Sequence, residues 1–256
     1  MQSGREAGFL VWVVVVRMMG SLLLVGGLTA GCASVPPPHP RATPPPSSEA
    51  TDGWPRHDVL DLALRAWRCG RDAGVSTSPL LTVIDYSLPS TARRLWVVDV
   101  PARRVLFHEL VAHGERSGEN EAMAFSNRPG SRQSSLGLMR TEDTYVGSQG
   151  YSLRLTGLEP GVNDRARERH IVMHGADYVS EETAAALGRL GRSWGCPALP
   201  RATSRRVIDR IKGGSVVFAY YPDRAWLARS RFLRCAAAGE QGVPAGPRMA
   251  AGGPPR

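Results

Sequence analysis

The chain has 256 residues, 42% of them hydrophobic, and its 32 Lys and Arg against 23 Asp and Glu leave a formal net charge of +9 at pH 7. That length suits one folded domain with a real core between two unstructured ends. The charge comes almost entirely from arginine, with Lys212 the single lysine, and no RNA- or DNA-binding motif accompanies it; nucleic acid is therefore not an expected partner, whereas an anionic wall polymer or lipid headgroup is compatible with planar guanidinium groups.

Residues 1–31 start with Arg5, run through a long apolar stretch interrupted by Arg17, and end in small residues. This is the layout of a secretory signal peptide. A single transmembrane anchor is the competing reading, but two apolar blocks of about 9 and 13 residues fall short of the ~20 that a span needs. The run closes on "LTAGC", Leu28 to Cys32, which resembles the lipobox of bacterial lipoproteins. The resemblance implies cleavage before Cys32 and attachment of diacylglycerol to its thiol, a two-chain anchor that holds stably. Ala33 rather than an aspartate follows, which by analogy with Gram-negative lipoproteins implies the periplasmic face of the outer membrane. An ordinary signal with a chance cysteine is the alternative. Residues 32–55, with "VPPPHPRATPPPSSEA", form a Pro-rich tether; in the polyproline regime it reaches about 70 Å. Residues 236–256 are Ala, Gly and Pro without apolar period and read as a disordered tail.

The folded part is thus 56–235. "HDVLDLALRAWRCG" repeats apolar residues at helical spacing, Val59, Leu60, Ala63, Leu64 and Trp67. Three apolar runs follow, "LLTVIDYS", "RLWVVDV" and "RVLFHELVAHG", the last two joined by "PARR" as a hairpin. A polar, glycine-rich loop covers about 114–133. "SSLGLM", "YSLRLTGL" and "RHIVMHG" read as strands, "SEETAAALGRLG" as a helix capped by Ser180, and "SRRVIDRIKGG" as another. "SVVFAYY" is a last strand and "DRAWLARSRFLRC" a last helix. The pattern is mainly β with flanking helices.

Four cysteines are present: Cys32, Cys69, Cys196 and Cys235. With Cys32 assigned to lipid, three remain in an oxidising compartment. Cys69 and Cys235 end the first and last helices, and domain termini often lie close together; a Cys69–Cys235 disulfide is expected, with two buried thiols as the alternative. Cys196 stands between Gly195 and Pro197 in "GRSWGCPALP", where regular structure is broken and a thiol is displayed. A thiol becomes a nucleophile through a neighbouring base, usually a histidine from elsewhere in the fold. His174 ends the run "IVMHG" beside Gly175, with backbone room there for a substrate, and His170 precedes it on the same strand. Spacing alone does not pair His174 with Cys196.

The segment "HGADYVSEETAAALGRLGRSWGCPALP" resembles the catalytic segment of the murein L,D-transpeptidase family, exported cysteine enzymes acting on peptidoglycan stem peptides. The family pattern is His-Gly on a strand, then Ser/Thr-His-Gly-Cys; here it is His174-Gly175, then Ser193-Trp194-Gly195-Cys196. A divergent branch of the family shares "FSNRPGSRQSSLG", "YSLRLTGLEPGVNDRARER" and "GRSWGCPA" in this order. Two departures stand out: Trp194 replaces the second histidine, and Pro197 follows Cys196 with no Arg or Asn two places on.

The resemblance implies an L,D-transpeptidase-like β-sandwich, with Cys196 as nucleophile, His174 as base, and backbone N–H groups of Gly195 and Cys196 facing the oxyanion. Ser193, Arg192, Tyr178, Gly175, Asn127, Ser126, Ser135 and His113 are candidates to orient base or substrate, each with turn formation or packing as its alternative. The implied reaction forms a thioacyl-enzyme at the third residue of a tetrapeptide stem, expected to be diaminopimelate with its side-chain carboxylate, with loss of D-alanine. An amine acceptor then gives a 3–3 cross-link or another amide, and water gives an L,D-carboxypeptidase instead. Carbapenems are expected inhibitors. No cofactor or metal is expected. A non-catalytic murein-binding lipoprotein and a thiol redox protein are the readings from other classes, the latter lacking a C-x-x-C pair.

Overall fold

The computed structural model describes residues 53–235. The signal segment, Cys32, the tether as far as residue 52 and the tail 236–256 lie outside the described residues. In chain order the elements are α1 (His57–Asp72), β1 (Leu80–Asp85), β2 (Arg93–Asp99), β3 (Arg104–Leu110), β4 (Gly137–Gly147), β5 (Gly150–Gly157), β6 (Val172–Ala176), α2 (Glu181–Leu187), β7 (Ala198–Pro200), α3 (Arg201–Ile211), β8 (Val216–Tyr220), α4 (Arg224–Arg229) and α5 (Arg231–Arg234). One sheet takes all eight strands in the order β3-β2-β1-β8-β4-β5-β6-β7.

β1 and β8 lie at its centre, pair in parallel, and are buried along their whole length, which is why they read as unbroken apolar runs rather than alternating ones. α1 turns Val59, Ala63, Ala66, Cys69 and Gly70 inward, a stripe at intervals of about a helical turn. The sheet does not end in two free edges. The chain continuing from β3 returns to β7, where Ala112 N–H donates to Ala198 O at 2.9 Å. This bridge joins the first strand in the order to the last and rolls the sheet into a barrel, removing edges that would otherwise invite pairing. The β-rich, helix-flanked domain expected from the sequence is present, as one barrel-like sheet.

Three elements differ from their sequence reading. β4 runs to Gly147, well past the apolar stretch that ends at Met139, because its outer half pairs with β5 in an exposed hairpin. β7 is three residues long and carries no sequence signal of its own. The last helix is two: Ser230 leaves helical geometry at ψ 119°. A continuous helix would bury Trp226 and Leu233 on one face and turn Phe232 away; the break buries all three.

The turn 158–169 after β5 folds around two buried polar side chains. Glu159 accepts from Leu138 N–H at 2.7 Å and from Trp226 Nε1–H at 3.2 Å. Asn163 donates to the carbonyls of Leu136 and Leu138 and accepts from Glu159 N–H. These bonds tie the turn to the start of β4 and so fix where its last residue, Arg169, emerges.

Cys69 and Cys235 are joined in a disulfide spanning 166 residues of sequence, with Cα atoms 6.2 Å apart. It fastens α1 to the end of α5. Replacing both cysteines by serine should lower the unfolding free energy by about 2–5 kcal/mol, from the loop-closure entropy returned to the unfolded chain. Equal melting temperatures of the two proteins would show that the link contributes nothing.

Candidate active site

The segment that displays Cys196 is held by three backbones in close approach. Ser193 N–H donates to His113 O at 3.0 Å and Glu115 N–H donates to Ser193 O at 2.7 Å. A Cβ at Gly114 would lie 2.4 Å from Arg132 O and 2.9 Å from Gly195 Cα, and one at Gly195 would lie 2.7 Å from Gln133 O. Gly195 also has φ +117°, a conformation closed to other residues. Ser193 closes the turn from inside. Its hydroxyl accepts from Gly195 N–H at 3.1 Å and donates to Cys196 O at 2.6 Å. The Gly195 N–H, expected to face an oxyanion, is therefore engaged within the turn. The Cys196 N–H donates to no protein group among the described residues, which leaves it as the available donor.

Cys196 is the free cysteine among the described residues and is partly exposed. Its sulfur lies 3.5 Å from Val172 N, whose N–H it accepts, and 3.6 Å from His170 O. His170 sits before β6 at φ +54°, in a left-handed turn, and not on the strand as the apolar run suggested. Burial pushes the thiol's pKa up, while the Val172 N–H and the positive charge of Arg169 pull it down.

Arg169 is the residue that sequence reasoning missed. Its guanidinium donates to Ser126 O, to Ser135 Oγ at 2.7 Å, to Ser131 Oγ at 3.2 Å and to Gln133 O at 2.6 Å. All four acceptors are neutral, and no carboxylate pairs with Arg169 among the described residues. Burial lowers its pKa, and the one ionisable group that opposes this is Cys196. A half-buried cation satisfied only by neutral oxygens keeps its charge uncompensated and favours an anion nearby. Its sequence signal was confined to its place at the end of the shared stretch "YSLRLTGLEPGVNDRARER"; nothing in that string tells which of four arginines turns inward.

His174 lies on β6, 3% exposed, opposite Ala198 in the parallel β6–β7 ladder. It is two residues along β6 from Val172, just as Ala198 is two residues beyond Cys196. Its Nδ1 lies 3.2 Å from Gly175 O; a carbonyl only accepts, so Nδ1 carries the proton and Nε2 is left with a lone pair. Burial lowers the imidazole pKa, the Gly175 carbonyl partly offsets this, and Arg201 adds to the lowering. The ring is thus neutral and basic near pH 7. It is not hydrogen-bonded to the Cys196 sulfur.

The other candidates fall into two groups. Ser126 and Ser135 hold Arg169, and Tyr178, pushed up to about 12 by burial and then by the charge of Cys196, flanks the thiol. The rest brace loops. Arg192 is paired with Glu119 at 2.6 Å and donates to Gly118 O at 3.1 Å. Asn127 links Asp164 and Arg165 N–H. His113 is fully buried, with Nδ1 accepting from Arg94 at 2.7 Å and a pKa lowered to about 4 by burial and by Arg94; it serves as a neutral strut. Gly175 makes room for α3, not for substrate: a Cβ there would lie 2.4 Å from Ser204 Oγ. Trp194, in the place of the family's second histidine, is 70% exposed with the Arg132 guanidinium 4.6 Å above its ring.

This chain's fold resembles several solved structures at low identity. One is LD transpeptidase LdtMt1 in complex with imipenem, at 15% identity over 56% of this chain and 59% of that one, with a TM-score of 0.35. Another is the helical cell shape determining protein Pgp2 from Campylobacter jejuni, at 11% identity over 62% and 57%, with a TM-score of 0.38. A third is the L,D-transpeptidase from Xylanimonas cellulosilytica, at 16% identity over 70% and 100%, with a TM-score of 0.33. The chain spans about three fifths of the length of the first two. No curated protein matches it in sequence. The model of the L,D-transpeptidase catalytic domain matches residues 54–220, well over half of the chain, and the chain belongs to that family.

Proposed function

We propose that this protein is a peptidoglycan acyltransferase with Cys196 as its nucleophile. The observation that carries the reading is the setting of the Cys196 sulfur: on a glycine turn, beside an uncompensated guanidinium, with a neutral histidine on the adjoining strand. The Cys196 sulfur attacks the carbonyl carbon of the third stem residue while His174 Nε2 takes the thiol proton. The tetrahedral oxyanion receives the Cys196 N–H. Collapse breaks the C–N bond, and His174 returns the proton to the amine of the departing D-alanine. An acceptor amine then attacks the thioester, loses its proton to His174, and releases the cysteine sulfur. The acceptor sets the outcome: a second stem gives a 3–3 cross-link, and water gives carboxypeptidase activity.

On the same reading the domain works in the periplasm, anchored to the outer membrane through lipid on Cys32 and the Pro-rich tether. The lipobox-like "LTAGC" and the family's wall substrate support this. Labelled palmitate should enter the wild-type protein and not Cys32→Ala; equal labelling would remove the anchor from the account.

Incubation with disaccharide-tetrapeptide tests the chemistry. Wild type should release D-alanine, and Cys196→Ala should lose at least about a thousandfold, with His174→Gln falling by roughly 10²–10⁴. Folded wild type that releases none would favour a murein-binding role instead. Because the His174 pKa lies below its ordinary value of 6.5, the base stays neutral through pH 7. The acid limb of kcat/KM should therefore fall below pH 6.5, and a limb above 7 would contradict the assignment. Arg169→Gln withdraws a charge that favours thiolate, so the pH midpoint of Cys196 alkylation, followed by peptide mass, should move up. An unchanged midpoint would reduce Arg169 to a structural clamp.

A further inference from the structure

A second feature adjoins the nucleophile. A cleft of about 130 Å³ is lined by Tyr145, Arg154, Arg167, His170, Ile171 and Val172. Two of these, His170 and Val172, supply the backbone oxygen and N–H that touch the Cys196 sulfur, so cleft and thiol share a wall. Its lining contains three basic side chains and no carboxylate. Arg154 is already engaged, paired with Asp143 and stacked 4.1 Å from the ring of Tyr145. Arg167 and the imidazole of His170 are different. Both residues are exposed, and neither side chain has a hydrogen-bond or ion-pair partner among the described residues. His170 also holds a left-handed backbone to stand there, a conformation that folds retain where surroundings impose it and that clusters at functional sites.

We infer that this cleft is the subsite for the α-carboxylate of the amino acid that leaves, with Arg167 as its charged group and His170 beside it. The inference rests on the acyl-transfer reading above and adds how the substrate's end is recognised. Only the leaving nitrogen and one Cα separate that carboxylate from the attacked carbonyl, so it stays within about 4 Å of the reacting carbon. Its binding group must therefore adjoin the thiol, as the cleft does. A planar guanidinium takes a carboxylate with two parallel hydrogen bonds. A stem that ends in an amide, or continues for another residue, presents no charge at that point.

The test measures binding in the Cys196→Ala protein, where no turnover intervenes, by calorimetry with disaccharide-tetrapeptide as free acid and as C-terminal carboxamide. The free acid should bind at least about tenfold more tightly. Arg167→Gln should bring that ratio close to one, whereas Arg65→Gln, the same charge change on exposed α1, should leave it intact. A ratio near one in Cys196→Ala, no binding of either ligand, or a ratio that Arg167→Gln does not alter would overturn the subsite. So would a ratio that Arg65→Gln lowers equally, or binding that responds only to amidation of the third residue's side-chain carboxylate. D-Alanine release by the unmodified protein is scored separately. Release without carboxylate preference sinks the subsite alone, and preference without release sinks the acyl-transfer reading alone.

Discussion

The site depends on one guanidinium that no carboxylate among the described residues neutralises. Arg169 spends its donors on two carbonyls and two hydroxyls of the segment 126–135. An ion pair would satisfy it as well and would cancel its field. Neutral acceptors leave the charge available to Cys196, whose thiol is otherwise penalised by burial. The same bonds pin the loop against the Gly195 turn, so one side chain sets both the electrostatics and the shape of the wall facing Cys196.

The three shared sequence segments acquire separate jobs in this arrangement. "FSNRPGSRQSSLG" provides the oxygens that hold Arg169. "YSLRLTGLEPGVNDRARER" delivers Arg169, through a turn built on Glu159 and Asn163 that is anchored to β4 and to Trp226. "GRSWGCPA" supplies Cys196, the proposed nucleophile, and the Ser193 hydroxyl that locks its turn. The barrel closure between Ala112 and Ala198 brings the last segment against the loop that follows β3. The absence of a histidine at Trp194 is then intelligible. Cationic influence on the thiol comes from Arg169, at the end of a different loop, and the proposed base is His174 on β6.

Much of this was legible in the chain. The helical stripe of α1, the unbroken apolar strands β1 and β8, the glycine before Cys196 and the His-Gly pair on β6 all follow from periodicity or backbone chemistry. What escaped were features set by tertiary partners. The outer half of β4 is polar because it forms an exposed hairpin, and Ser230 breaks a helix only because Phe232 must also be buried. Gly175 looked like space for a substrate and is space for Ser204 of α3. Arg192, next to the Gly195 turn, looked free to orient a substrate and is paired with Glu119. Arg169 was hidden among many arginines, since inward orientation follows from the Glu159–Asn163 turn and not from local pattern.

The central claim is that Cys196 carries the acyl group, and trapping that intermediate tests it most directly. Protein mixed briefly with disaccharide-tetrapeptide, quenched in acid and digested should yield the Cys196 peptide heavier by the disaccharide-tripeptide acyl group. The adduct should be labile to hydroxylamine, as a thioester is. D-Alanine release with no such adduct on the Cys196 peptide, or with an acyl group found on another residue, would contradict the account.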